Sequence, residues 1–215
     1  MSDRLCIAIM AAGMARRFEG PKLDVEFSSK RLGRHAVDAA LEFDTRNLVI
    51  VVGDTCPKFA KEAEAEGIAK LLGNPEARLG LSGSIAVAMR HAVEINCEKL
   101  LLMLGDMPFV TSATLRRLAD AATVGCPSAA KYPDGKAGIP VCLTVDQFAE
   151  MLPLLQGDRG IGSYLSARAQ CLRVDVPVHE LNDIDTRMDL AASKVTPSFR
   201  SEQSGMAVQH GKIRS

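Results

Sequence analysis

Two apolar runs dominate the hydrophobic pattern of the chain, NLVIVV at 47–52 and KLLLML at 99–104. Each would be apolar on both faces of a strand, which is the mark of a strand buried in a parallel sheet. A third such run, LCIAIM, opens the chain at 5–10. Between these runs the period changes to that of helices. Residues 34–43 put Ala36, Ala39, Ala40 and Phe43 on one side, and 57–67 is a charged, alanine-rich helix stopped by Gly67. An amphipathic helix follows Ser82-Gly83-Ser84 to about Ile95, and Thr111 caps the helix TSATLRRLADAA. Residues 68–72 add a short strand, and 23–32 alternate loosely, as a short hairpin or a sheet edge does. The first half therefore alternates strand and helix, which predicts a mostly parallel sheet with helices on both faces.

The second half is less regular. Residues 128–132 and 139–143 read as strands around the Pro133-Asp134-Gly135 turn. Residues 144–155 read as a helix with Thr144 or Asp146 as its cap, and Gly157-Asp158-Arg159-Gly160 opens a short helix to about Ala169. A strand at 172–176 is followed by a turn rich in carboxylates at 182–185, and Thr186 caps a last helix to about Ser193. The polar stretch 195–215 has few large apolar residues and reads as a mobile tail behind one domain, 1–194.

Composition narrows the function classes. The 26 basic and 26 acidic residues leave no net charge, which argues against general nucleic-acid binding. The six cysteines are scattered without a C-x-x-C pair, several of them in apolar runs, so they read as small core residues of a reduced, cytoplasmic protein. The first apolar run is too short for a signal peptide, and no run reaches the ~20 residues of a membrane helix.

Candidate chemistry begins where the first strand ends. Ala11-Ala12-Gly13 leads into Arg16, Arg17, a Gly20-Pro21 turn and Lys22. Gly13 lets backbone N–H groups approach an anion, and the cations suit phosphate oxygens. The loop matches neither the G-x-x-x-x-G-K-[ST] nor the G-x-G-x-x-G spacing, and taken alone it is equally a solvated turn. A second strand-to-loop junction holds Gly105-Asp106-Met107-Pro108. In an open α/β sheet, ligands sit beyond the carboxyl ends of the parallel strands. A carboxylate there can hold Mg²⁺, which favours one or two carboxylates plus phosphate oxygens. Asp183 and Asp185 alternate around Ile184, so in an extended segment they point the same way. Either completes a metal site with Asp106, or both merely precede a helix N-terminus that favours negative charge. The four histidines stand at no triad-like spacing and attract no role.

AAGMARRFEGPKL, GDMP, GKAGIPV, QGDRGIGSYL and DIDTRMDL occur in this order over most of the chain. Together they resemble the MobA-like nucleotidyltransferases, and among these the molybdenum cofactor cytidylyltransferases (MocA-like proteins). The resemblance implies a Rossmann-like three-layer α/β/α nucleotidyltransferase fold. It also implies transfer of CMP from CTP to the terminal phosphate of a molybdopterin-type cofactor, with Mg²⁺ and release of pyrophosphate. Residue by residue, it places Ala11, Ala12 and Gly13 along base and ribose, with Ser82, Ser84 and Gly105 also on the nucleotide. Arg17 would grip the triphosphate, Lys22 the α-phosphate, and Asp106 and Asp185 the metal. Gly135, Gly138, Pro140, Asp158 and Arg159 would shape the acceptor side. Guanylyl members carry Ala-Gly-Gly where this chain has Ala11-Ala12-Gly13, which leaves less room for a purine.

The resemblance leaves open a sugar- or polyol-phosphate cytidylyl- or uridylyltransferase, a guanylyltransferase, and an inactive nucleotide-binding module. A transient partner would be a molybdenum hydroxylase. Three departures from the family pattern stand out: Phe18-Glu19 for a methionine–glycine pair, FSSKRLGRHAV without its usual Pro and paired glycines, and Arg187-Met188 for a Pro-Glu pair. None removes a proposed catalytic group, and they leave the acceptor open.

Overall fold

The computed structural model describes residues 4–13, 15, 17–18, 20–43, 46–155, 161–167 and 170–195. From β1 (Leu5–Met10) the chain passes a 3-10 turn (Lys22–Asp24), a small hairpin of β2 (Glu26–Phe27) and β3 (Lys30–Arg31), and α1 (Leu32–Leu41). Then follow β4 (Asn47–Val52), α2 (Lys58–Ala65), β5 (Lys70–Gly73), a 3-10 turn (Ala77–Leu79), α3 (Leu81–Glu94), β6 (Lys99–Leu104) and α4 (Ser112–Ala121). The second half holds β7 (Ser128–Lys131), β8 (Ala137–Thr144), α5 (Phe148–Met151) between two 3-10 turns, and α6 (Ile161–Ala167). It ends with β9 (Leu172–Asp175), a 3-10 turn (Val178–Leu181) and α7 (Arg187–Val195).

Seven strands form one sheet in the order β5-β4-β1-β6-β8-β7-β9. β8 is antiparallel to β6 and β7, and the remaining pairs are parallel. The expected fold class is the observed one: a mostly parallel sheet between two helical layers. Alternate residues of β1 go to opposite faces, as the strand period of two requires. Leu5, Ile7 and Ile9 join one cluster with residues of α1, α2 and α4, while Cys6, Ala8 and Met10 join the other with α3, α5 and α6. That double burial explains why the central strands read as unbroken apolar runs.

Local differences from the sequence reading have local causes. α3 begins at Leu81, so Ser82 and Ser84 lie inside its first turn. Gly80, at φ +112°, is the N-cap without a side-chain bond, and the Ser84 hydroxyl accepts from Asn74 Nδ2 at 2.9 Å. The helix expected over 144–155 is a short α5 between 3-10 turns. Pro153 lies in the second of these turns, and proline disfavours continued α-helix. The segment keeps the expected start, where Gln147 Oε1 accepts from the Thr144 N–H at 3.3 Å. Thr111 caps α4 as read, accepting from the Thr114 N–H at 3.3 Å, and the last helix runs to Val195. Asp158, Arg159 and the tail beyond Val195 lie outside the described residues.

All six cysteines are free, and burial, then Cys97, push the Cys6 thiol up to about 12. No helix among the described residues is long and apolar enough to cross a membrane.

Gly33 sits buried in α1, and a Cβ there would overlap the ring of the fully buried Phe59 on α2. Gly33→Ala is therefore expected to destabilise the fold by about 1–3 kcal/mol through overpacking. The corresponding fall in Tm is roughly 2–12 °C, read by circular dichroism. An unchanged Tm would mean that the α1–α2 contact opens freely.

Candidate active site

The carboxyl ends of β1 and β6 lie side by side, and both loops leave from there. The Ala11 N–H still bonds to Val51 O at 2.9 Å, so the loop starts in strand register beside β4. The Gly105 N–H donates to Met10 O at 3.0 Å. A Cβ on Gly105 would stand 3.3 Å from that oxygen and 3.4 Å from Leu23, so glycine lets the Asp106 loop close on the opening loop.

Two residues pin the far end of the opening loop. Phe18 is buried in a small cluster with Phe27, Leu32 and Ile184, and the Arg187 guanidinium lies 5.4 Å from its ring centre. Asp24 accepts from the backbone N–H groups of Lys58 and Phe59 at 2.9 and 3.0 Å, capping α2. The 3-10 turn that carries Lys22 is thereby fixed at its own last residue.

These anchors place a charge cluster. Lys22 Nζ lies 2.7 Å from Asp106 Oδ2 and 2.9 Å from Asp185 Oδ1, with only 8% of its side chain exposed. Arg17, largely in solvent, reaches Asp185 Oδ2 at 2.7 Å. Burial alone would lower the Lys22 pKa, but Asp106 and then Asp185 outweigh it and hold the ammonium above its ordinary value. The Asp183 carboxyl is pushed up, first by desolvation, then by the charges of Asp185 and Asp106. Asp106 Oδ1 is buried without a hydrogen-bond partner among the described residues. An orphaned carboxylate oxygen beside a second carboxylate fits a divalent cation. Among the described residues no cluster of three Asp, Glu, His or Cys side chains forms a cage by itself. Mg²⁺-type ions that keep phosphate and water ligands suit such a site.

A cleft of two adjoining lobes, about 570 and 360 Å³, runs along the loop. Ala11, Ala12, Gly13 and Lys22 line both lobes. Ser84 and Asp106 line the smaller lobe, while Ser82 is buried in the first turn of α3 and lines neither. Gly105 supports the loops but is not a lining residue either. The residues expected on the acceptor side are placed differently from those expected on the nucleotide. Gly135 is in the hairpin turn at φ +81°, and Gly138 makes room for Tyr132, where a Cβ would stand 2.6 Å from the ring. Pro140 is buried within β8, and neither Gly138 nor Pro140 lines the two lobes. Of the departures from the family pattern, Glu19 lies outside the described residues, and Phe18 and Arg187 meet each other.

Sequence reading missed one wall. Gly53, Asp54, Thr55 and Arg78 line the larger lobe, and Arg78 pairs with Asp54 at 3.0 Å. Gly53-Asp54 directly follows the buried NLVIVV strand, the same signal that marks Asp106. Nothing comparable in the sequence marks Arg78.

Similarity to known proteins agrees with this geometry. The chain is 31% identical over 121 residues to the bifunctional protein GlmU of Burkholderia thailandensis, a match over 54% of this chain and 25% of that protein. It thus spans about a quarter of the length of the curated relatives it matches. Rv0371c of Mycobacterium tuberculosis superposes with a TM-score of 0.68 at 25% identity, over 90% of this chain and 98% of that one. It has also been solved as a complex with manganese, which superposes with a TM-score of 0.64 at 25% identity over 89% and 98% of the two chains. Molybdopterin-guanine dinucleotide biosynthesis protein A of Archaeoglobus fulgidus shares the fold at 20% identity, with a TM-score of 0.65 over 87% and 95%. A sequence model of the MobA-like NTP transferase domain matches residues 7–173, and the chain belongs to that family.

Proposed function

We propose that this chain transfers CMP from CTP to the terminal phosphate of a molybdopterin-type cofactor, releasing pyrophosphate. The observation that carries nucleotidyl transfer is the convergence of Lys22, Asp106 and Asp185 at the foot of the cleft lined by Ala11, Ala12 and Gly13. In this reading an oxygen of the acceptor phosphate attacks the α-phosphorus and the bond to pyrophosphate breaks. The attacking group is already ionised, so no side-chain nucleophile is needed. The chain contributes positioning and charge neutralisation.

Lys22 turns from the carboxylates to the α-phosphate, and Arg17 supports the charge on the leaving pyrophosphate. Asp106 and Asp185 would hold a divalent metal, which supplies further charge neutralisation at the phosphates. The manganese complex of Rv0371c supports a divalent ion, and Mg²⁺ is the proposed one. Ser84 lines the nucleotide lobe directly, and Ser82 supports it from within α3. Gly138 and Pro140 act on the acceptor side through the shape of β8 and the seat of Tyr132, and Asp158 and Arg159 complete that side. The domain spans 1–194, with 195–215 outside it.

The choice of CTP rests on Ala12. Gly53 packs against it so closely that a Cβ on Gly53 would stand 3.2 Å from Ala12 O and 3.1 Å from the Ala77 methyl. Ala12 and Ala77 both line the cleft beside Gly53, and in this reading the side chain at position 12 leaves less room for a purine. The molybdopterin acceptor rests on the ordered GKAGIPV and QGDRGIGSYL motifs, with a molybdenum hydroxylase as the recipient of the product and the cytoplasm as its setting.

A pyrophosphate-release assay over the four NTPs, with molybdenum-loaded molybdopterin or a sugar phosphate as acceptor, tests the whole reading. Release is expected with CTP only when the pterin is present, and Asp106→Ala should remove most of it while the circular-dichroism spectrum stays native. Release with a sugar phosphate instead would reassign the acceptor. Nucleotide binding without any turnover would make the chain a binding module.

Lys22→Ala should lower kcat more than it raises KM for CTP, because the ammonium serves the charge that builds during transfer. A pure KM effect would demote Lys22 to a binding residue. Ala12→Gly should shift the kcat/KM ratio of GTP to CTP upward by about tenfold, the scale of one methyl in a fitted pocket. An unchanged ratio would remove Ala12 as the selector.

A further inference from the structure

We propose that Glu180 is a positioning residue for the Asp106–Asp185 pair. The proposal rests on the nucleotidyltransferase reading above and extends it to a residue that touches no part of the cleft. Glu180 sits in the 3-10 turn Val178–Leu181 and is 4% exposed. Its carboxylate accepts from the Thr111 backbone N–H at 3.0 Å and from the Thr111 hydroxyl at 3.2 Å. Thr111 is the N-cap of α4, so the buried negative charge faces the positive end of a ten-residue helix. A carboxylate this deeply buried is tolerated only with such compensation.

What makes the contact more than a helix cap is where its two ends lead. Thr111 lies five residues after Asp106, and Glu180 lies five residues before Asp185. Between these points the Ile184 N–H donates to Asp106 O at 3.0 Å, and the Ile184 side chain is fully buried. The two segments thus form a short ladder. Its base is Glu180–Thr111, its middle rung is Ile184–Asp106, and its open end is the pair of carboxylates held by Lys22. Among the described residues, removing the base leaves the 182–185 strap tied to the Asp106 loop by the Ile184–Asp106 backbone bond, the packing of Ile184 near Phe109, and Lys22. Lys22 itself must turn away when phosphate arrives. At that moment the spacing of the two carboxylates rests on the ladder and on the packing around Ile184.

The test uses the full chain with Glu180→Ala, Glu180→Gln and Glu180→Asp. Mn²⁺ binding is read by electron paramagnetic resonance in the presence of CTP, alongside kcat, KM for CTP, and Tm. Glu180→Ala is expected to weaken Mn²⁺ binding and lower kcat by about 10–100-fold, the range seen when groups that orient metal ligands are removed. KM for CTP should stay within about twofold of wild type, since Glu180 does not line the cleft.

Glu180→Gln keeps an oxygen acceptor for the Thr111 N–H and should restore both quantities. Glu180→Asp keeps the charge but not the reach, and should fall between the two even if the alanine variant does not fold. Folded Glu180→Ala and Glu180→Asp with a lower Tm but wild-type Mn²⁺ affinity and kcat would reduce Glu180 to a helix cap and overturn the proposal. A wild-type chain that binds no Mn²⁺ and releases no pyrophosphate would overturn the underlying reading and this proposal together. Wild-type activity with an unaffected Glu180→Ala would overturn this proposal alone.

Discussion

An ammonium group taken out of water needs negative charge at hydrogen-bonding distance, and Lys22 finds it in two carboxylates from distant parts of the chain. Asp106 comes from the end of β6, and Asp185 lies 163 residues from Lys22. Burying this one cation therefore requires three segments to meet. Much of the local structure serves the meeting. Asp24 caps α2 and fixes the turn behind Lys22, Gly105 lets the β6 loop close on β1, and Ile184 ties the last strap to the Asp106 backbone. The arrangement also suits exchange. The ammonium stands between the two carboxylates proposed to hold a divalent ion, and phosphate oxygens are an alternative partner for it. In the proposed reaction, nucleotide and metal replace one set of ion pairs by another without uncovering a bare charge.

The sheet explains why these segments meet where they do. From β1 the chain moves outward to β4 and β5, then returns to place β6 on the other side of β1. The loops on either side of that reversal diverge and leave a crevice at the carboxyl ends of the strands. The opening loop and the Asp106 loop flank it. Beyond β6 the reversed strand β8 shifts the order, and the β7–β8 hairpin brings Tyr132 and Gly138 towards the same edge. Burial, then the charges of Asp183 and Asp106, push the Tyr132 hydroxyl up to about 12.

Two features that look like departures from the family pattern are one feature in three dimensions. Phe18 puts a buried ring where the family pattern has methionine, and Arg187, in the place of the usual proline, puts a cation over that ring. Together with Ile184 they fasten the opening loop to the strap bearing Asp185, which places Arg17 against that carboxylate. Neither substitution announces the other, because the contact joins positions at opposite ends of the chain.

The sequence by itself determined the strands, most of the helices and the two loops that carry the proposed chemistry. Those are properties of consecutive residues: apolar runs, caps at Thr111 and Thr186, and small or charged residues directly after buried strands. It also marked Lys22, Asp106 and Asp185 as candidates, since each residue type fits its chemistry at its own position. Only the tertiary structure decided how they combine. It made Lys22 the bridge between the carboxylates, left Asp183 beside rather than within the ion pairs, placed Pro140 inside the sheet, and added Asp54, Arg78 and Glu180, whose partners lie 24 and 69 residues away in no readable pattern. The reason is physical. Local periodicity reports which face of an element is buried, whereas the energy of a buried charge depends on what stands opposite it, and that is settled only when the chain closes on itself.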